Sequence, residues 1–352
     1  MSRRGIGIGL FFVLTALLAG ALAFVAWNHY QGFAHGPLSG IEEGDTVTVE
    51  RGDSFLRVLG KLREAGVTDG HRVEWQLLAR RLDAGGRLQV GEYELEPGMS
   101  ASQLLVKMRD GRVIRHRFTI VEGWNIRELR AALARATPLR QETPELDDAA
   151  LMEALGRPGV HPEGRFLPET YLYTRGDSDL DLLKRAASAL DNALEQAWET
   201  RAEGLPLDSA EEALVLASII EKETGLASER PRIAGVFVRR LQRGMRLQTD
   251  PTVIYGMGSA FDGNIRRRDL QADTPYNTYT RDGLPPTPIA MPGVDAIRAA
   301  TRPADGDELY FVAIGDGSGA HVFSRTYAEH QAAVREYVRR YRQRFGAGSR
   351  AE

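Results

Sequence analysis

Ser209-Ala210-Glu211-Glu212-Ala213-Leu214-Val215-Leu216-Ala217-Ser218-Ile219-Ile220-Glu221-Lys222-Glu223-Thr224-Gly225 is the stretch on which the reading of this chain turns. Asp208 or Ser209 can cap a helix, and Ser209 with Glu212 fits a capping box. Ala213 to Ile220 is apolar nearly all round, which predicts a buried helix. Gly225 fits the place just past its end. Glu221 stands four residues after Ala217 and seven after Leu214, so it continues the apolar stripe. It also stands in the last turn, where the helix dipole disfavours a carboxylate. Burial and dipole both push its pKa up, as a general acid near neutral pH requires. The plain alternative is that Glu221 pairs with a core arginine or a backbone group. Glu223, two residues on, is expected to point elsewhere, as a structural residue or a helper.

Downstream lies Arg246-Leu247-Gln248-Thr249-Asp250-Pro251-Thr252-Val253-Ile254-Tyr255-Gly256, dense in polar and aromatic side chains and without helical or strand period. Asp273-Thr274-Pro275-Tyr276-Asn277-Thr278-Tyr279 follows, then the proline-rich Gly283-Leu284-Pro285-Pro286-Thr287-Pro288-Ile289-Ala290-Met291-Pro292-Gly293. Such rigid, non-repetitive loops position ligand groups. Gln248, Asp250, Tyr255, Asn277 and Tyr279 are candidate cleft residues, since Tyr, Asn and Gln stack on sugars and bond acetamido groups. Buried polar networks explain such residues equally well, and Asp250 before Pro251 also fits a cap or turn.

The set Glu221-Lys222-Glu223-Thr224, Leu247-Gln248-Thr249-Asp250-Pro251-Thr252-Val253, Tyr276-Asn277-Thr278-Tyr279 and Gly283-Leu284-Pro285-Pro286 resembles the endolytic murein transglycosylases, the MltG or YceG-like family. Four motifs in order over about 70 residues are far more specific than one short motif. Thr287 and Met291 depart from the family loop, which carries Gly and Asn there. The resemblance covers nearly the whole chain. It implies a lyase that cleaves nascent peptidoglycan strands between MurNAc and GlcNAc and leaves 1,6-anhydro-MurNAc ends, terminating elongation. It places the catalytic acid at Glu221; the substrate contacts expected from the residues themselves are Glu223, Gln248, Asp250, Tyr255, Asn277 and Tyr279. No metal or cofactor is expected. The implied partners are peptidoglycan glycan strands, the inner membrane and peptidoglycan synthases. The rival readings are a hydrolytic muramidase with Asp250 as second carboxylate, and a non-catalytic glycan-binding scaffold.

Upstream, three segments share one pattern. Val47–Ser54, Tyr93–Ser100 and Phe118–Asn125 each read as a short strand, a turn with Gly and an N-cap, leading into an amphipathic helix. Gly52-Asp53-Ser54 resembles the opening of LysM carbohydrate-binding modules; a plain run of strand–turn–helix units is the equal alternative. His71, Trp75 and Arg80-Arg81 read as surface and core residues of a helix. The loop Pro162-Glu163-Gly164-Arg165-Phe166-Leu167-Pro168-Glu169-Thr170-Tyr171 reads as ordered and packed. Tyr310–Ala313 and His321 suggest a β-hairpin, and Tyr327 to Phe345 a basic amphipathic helix. His321 and Ser324 have no Gly-x-Ser-x-Gly elbow to serve, and no His-Glu-x-x-His, P-loop or Rossmann fingerprint appears.

The N-terminus bears on the compartment. Arg3 and Arg4 precede an uncharged run from Gly5 to Trp27. Roughly 23 residues at 1.5 Å each span about 34 Å, enough to cross a bilayer core. Trp27 and Tyr30 suit an interfacial belt, and the arginines favour a cytoplasmic N-terminus. A cleaved signal peptide is the competing reading, but its apolar region would be shorter. The chain has 45 Lys+Arg against 48 Asp+Glu, a net charge of −3, which argues against a nucleic-acid binder relying on overall charge. The absence of cysteine excludes disulfides, thiol nucleophiles and thiolate metal sites. The expectation is an α+β protein with a tail over 1–4, a transmembrane helix over 5–27, a linker over 28–40, a LysM-like α+β subdomain over 41–120 and a catalytic α+β domain over 121–352. It would be a single-pass inner-membrane protein with a periplasmic body.

Overall fold

The computed structural model describes residues 3–345, with side chains over 10–344. Of the expected tail, Met1 and Ser2 lie outside the described residues. The chain divides into two compact units, one of Met1–His116 with Tyr173–Gly176, the other of Arg117–Leu172 with Asp177–Glu352. Helix and sheet are mixed in the α+β manner expected.

The first unit opens with α1 (Arg3–His35). Its stretch Leu10–His35 has a mean hydropathy of 2.4 in its most apolar window and is long and apolar enough to cross a membrane. The helix does not stop at Trp27, so most of the expected linker over 28–40 is helical. Nothing in Asn28–His35 breaks a helix, and Gly36-Pro37 follows. The end of α1 is seated in the unit's core: Ala34 is buried, and the Phe33 ring meets Trp75 edge-on at 5.2 Å.

β1 (Thr46–Val49), α2 (Phe55–Glu64), α3 (Arg72–Arg81), β2 (Gly91–Glu94) and α4 (Ala101–Arg109) complete this unit. Ser54 caps α2 and Ser100 caps α4, as the repeated pattern predicts. β1 and β2 pair antiparallel with Thr46 opposite Glu94. Trp75, Tyr93, Leu62, Leu78 and Met108 fill the core between sheet and helices.

β3 (His116–Thr119) leads to α5 (Ile126–Leu133), capped by Asn125, then α6 (Asp148–Ala154) and β4 (Thr170–Tyr173), all in the second unit except His116 and Tyr173, which fall in the first. The third repeat therefore forms its strand and helix as read, but β3 pairs with β4 and not with the first two strands. α7 (Asp179–Glu199), α8 (Ala210–Glu223) and α9 (Arg230–Gln242) follow. Next come α10 (Asp250–Met257) and α11 (Arg267–Gln271), α12 (Val294–Thr301), the antiparallel hairpin β5 (Tyr310–Ala313) with β6 (His321–Ser324), and α13 (Tyr327–Phe345). α10 departs from the sequence reading, which found no period over 246–256. It is short, and Pro251 at its start supplies a preset φ where no backbone donor is needed. Leu214, Ile219 and Ile220 of α8 are wholly buried against α9, α12 and α7. Each such side chain contributes about 1.5–3 kcal/mol by burial. That core fixes the end of α8 in place.

Candidate active site

Glu221 sits in the last turn of α8, with only 5% of its side chain exposed. The proline-rich loop runs along the same helix face. The Ser218 hydroxyl accepts from Ile289 N–H at 3.0 Å, and one turn on Glu221 Oε2 accepts from Gly293 N–H at 3.0 Å. The loop is tied on its other side to 123–124. Gly123 N–H donates to Met291 O at 2.9 Å and Met291 N–H to Trp124 O at 2.7 Å. This pairing brings Glu122 beside Gly293, where a β-carbon would collide with the Glu122 carboxylate. The two departures from the family loop are accommodated here. Thr287 shares a 2.9 Å hydrogen bond with the Tyr276 hydroxyl, and Met291 fills the core with its side chain.

Arg230, the buried first residue of α9, closes the site. Its Nη2 donates to Glu122 Oε2 at 3.3 Å and to Glu221 Oε1 at 3.4 Å, and its Nη1 lies 3.7 Å from Asp295 Oδ2. Glu221 thus has both partners of the plain alternative, an arginine and a backbone N–H. Even so, its pKa is raised. Burial is the largest cause and Glu122 adds to it, against the Gly293 N–H and Arg230. Pairing and acid function are therefore compatible in this carboxyl.

Glu223 faces a different neighbourhood, as the two-residue spacing predicts. Thr249 Oγ1 donates to Glu223 Oε1, and the carboxyl is pushed up to about 7, chiefly by burial. It borders a cavity of about 390 Å³ that Gln248, Asp250, Tyr279, Tyr310 and His330 also line. The Tyr279 hydroxyl donates to Asp250 Oδ1 at 2.5 Å. Gln248 has a φ of 51°, a left-handed conformation that costs a non-glycine residue about 1 kcal/mol or more. Gln248 N–H donates to Thr278 O at 3.1 Å and Thr249 N–H to Thr278 Oγ1 at 3.1 Å, which holds this turn. Four of the expected contacts, Glu223, Gln248, Asp250 and Tyr279, are thereby gathered at one cavity. Glu221 is not among its lining residues.

Two expected contacts have other work. The buried Asn277 amide donates to the carbonyls of Asp269, Leu270 and Ala272, and its Oδ1 accepts from Tyr279 N–H. It is a loop brace, because both ends of its amide are engaged. Tyr255 packs edge-on against Tyr276 at 4.8 Å and bonds Glu163 through its hydroxyl. Glu163 is 1% exposed, accepts from Ile126 N–H at 3.1 Å, and is pushed up to about 7, chiefly by burial. Sequence reasoning took Glu163 only as part of a packed loop. The signal was there: an acid between Pro162 and Gly164 in an apolar, aromatic stretch. Glu122, Arg230 and Asp295 gave no comparable signal. His321 Nδ1 lies 2.7 Å from Glu229 Oε2, which ties β6 to the start of α9 and leaves no pairing with the buried Ser324.

Glu221, a nearly buried carboxyl with a raised pKa beside a loop-built wall, is the candidate acid–base residue, on the helix whose Glu223 borders the tyrosine-lined cavity. The chain belongs to the YceG-like family, whose model matches residues 47–336. The endolytic murein transglycosylase of Bacillus subtilis strain 168 is 31% identical over 309 residues, covering 83% of this chain and 84% of that protein. That of Streptococcus pneumoniae strain D39 is 27% identical over 327 residues, and the match spans 58% of its length. The crystal structure of a YceG-like protein from Listeria monocytogenes superposes with a TM-score of 0.51 at 29% identity, over 82% of this chain and 98% of that one.

Proposed function

We propose that this protein is an endolytic lytic transglycosylase of peptidoglycan with Glu221 as its acid–base residue. It cleaves glycan strands between MurNAc and GlcNAc and leaves 1,6-anhydro-MurNAc ends. The observation that carries the residue assignment is the raised pKa of a nearly buried Glu221 that still keeps two hydrogen-bond partners. Protonated Glu221 gives its proton to the glycosidic oxygen as the bond from C1 breaks. The C6 hydroxyl of the same MurNAc attacks C1 and returns its proton to Glu221. Atoms balance without water, and the residue ends as it began. Ordinary glycosidases need a second carboxylate to activate water or to attack the sugar. An intramolecular hydroxyl removes that need and most of the entropic cost of bringing in a nucleophile.

Glu223, Gln248, Asp250 and Tyr279 line a glycan subsite in this reading, with carboxylates and an amide for sugar hydroxyls and Tyr rings for stacking. α1 anchors the protein in the inner membrane with its N-terminus cytoplasmic, supported by its length and hydropathy. The first unit is LysM-like, and peptidoglycan synthases are the natural partners of an enzyme that ends nascent strands.

The test is product analysis of the full chain in detergent with uncrosslinked glycan strands. Ends lighter by one water, read by mass spectrometry, support the lytic reaction. Hydrated reducing ends would instead establish a muramidase, and strands bound but left intact would favour a scaffold.

A further inference from the structure

We infer that Arg230 is a positioning residue for Glu221, and that the Glu122 carboxylate, by sharing the guanidinium, sets the pH range over which Glu221 keeps its proton. The inference rests on the proposed reaction for its kinetic consequences but not for its structural content. One guanidinium faces three carboxyl groups. Arg230 Nη2 is divided between Glu122 at 3.3 Å and Glu221 at 3.4 Å, while Nη1 lies 3.7 Å from Asp295. Ionising all three acids would leave an excess of two negative charges at a site where the arginine side chain is only 9% exposed. The proton goes to the acid that water serves least. The side chains of Glu122 and Asp295 are 49% and 60% exposed, and that of Glu221 is 5% exposed.

The remaining charges nearby do not change this order. Lys222 Nζ donates to the Gly123 carbonyl at 3.1 Å, and Arg298 lies 3.5 Å from Asp295. Glu229, next to Arg230, is taken up by His321. Glu223 belongs to the other neighbourhood of α8, with Asp250 and Arg240 near it. Among the described residues, no charged side chain of α7 is bonded to Glu221. Arg230 Nε is buried and has no partner among the described residues. The fork is thus committed through its two Nη atoms. This fixes where the Glu221 carboxyl points while dividing the positive charge that would otherwise favour its ionisation.

The prediction has opposite signs at the two partners. Glu122→Gln removes a competing negative charge and frees Arg230 for Glu221, so Glu221 loses its proton at lower pH. Arg230→Met removes the positive charge, so Glu221 keeps its proton to higher pH, with a lower rate because the carboxyl is no longer aimed. Arg230→Lys keeps charge without the fork and serves if the Met variant does not fold. The experiment follows the carbonyl band of the protonated acid by infrared titration of the full chain in detergent, assigned by its loss in Glu221→Gln. The pH profile of kcat/KM is recorded in parallel. The expected result is a band and an alkaline limb displaced downward in Glu122→Gln. That variant should lose about threefold to tenfold more rate on the alkaline side than on the acid side. In Arg230→Met both should move upward. Rates that fall with the band and the limb unmoved would reduce both residues to structural props and overturn the inference. Band shifts in a protein that makes no anhydro ends would support the network and refute the proposed reaction.

Discussion

Replacing Glu221 by Gln is the sharpest perturbation the site allows, because the local structure predicts both what is lost and what is kept. The Gln carbonyl can still accept from Gly293 N–H, which now donates to Oε2 at 3.0 Å. Arg230 keeps Glu122 and Asp295. What disappears is the transferable proton. General acid–base catalysis is worth roughly 10²–10⁴ in rate, or about 3–5 kcal/mol of barrier. Glu221 is assigned both proton transfers, so the loss belongs at the upper end of that range. Stability should not fall with the rate. Burial opposes ionisation of this carboxyl, so at neutral pH the variant should unfold at the same temperature as the parent or slightly higher. The assay is the rate of anhydro-end formation from uncrosslinked strands at saturating substrate, with thermal unfolding measured on the same preparation. A variant that retains more than about a tenth of the rate would refute the assignment of Glu221 as acid. Loss of rate together with a collapse in unfolding temperature would refute the local reasoning.

Other perturbations read other parts of the structure. Glu163 has a folded pKa of about 7 against an ordinary value of 4.5, so the folded state holds more protons than the unfolded one between those values. Its contribution to stability is complete below the unfolded value and is lost as pH rises through about 7, a decline of roughly 3 kcal/mol that denaturant titrations at pH 4 and pH 8 should reveal and Glu163→Gln should flatten. Gln248→Gly should relieve the left-handed strain, leaving stability equal or up to about 1 kcal/mol higher, while raising KM for glycan because the amide at the cavity is gone. Trp75→Ala should cost the first unit about 3–5 kcal/mol, since the ring is wholly buried, packs on Phe33 and donates to Asp69 O at 2.9 Å. Calorimetry should show that loss without a change in kcat.

What was legible in the sequence follows the range of the interactions. α8 and α13 were readable because each carries its own period, and their observed bounds agree with the reading. The three strand–turn–helix repeats were readable because a cap and a glycine are local signals. Sheet pairing was not, because β1 pairs with β2 while the third strand pairs with β4, more than 50 residues further on. α10 was hidden for another reason. A two-turn helix that begins on Asp250-Pro251 is too short to show a period.

The same distinction explains the site. Glu221 could be found from its own helix, since its place on the apolar stripe and in the last turn is local. Its electrostatics could not. Arg230 is 9 residues from Glu221 but 108 from Glu122, and the loop donor Gly293 is 72 residues from the acid. The local reading had burial and helix dipole acting in the same direction. The fold adds an N–H and a guanidinium that act against both. That its pKa is still raised follows from two things outside the helix: the nearly complete burial of its side chain, and a guanidinium whose charge is divided among acids that water serves better. An acid positioned this way is held by partners whose opposing effect is smaller than that of its burial.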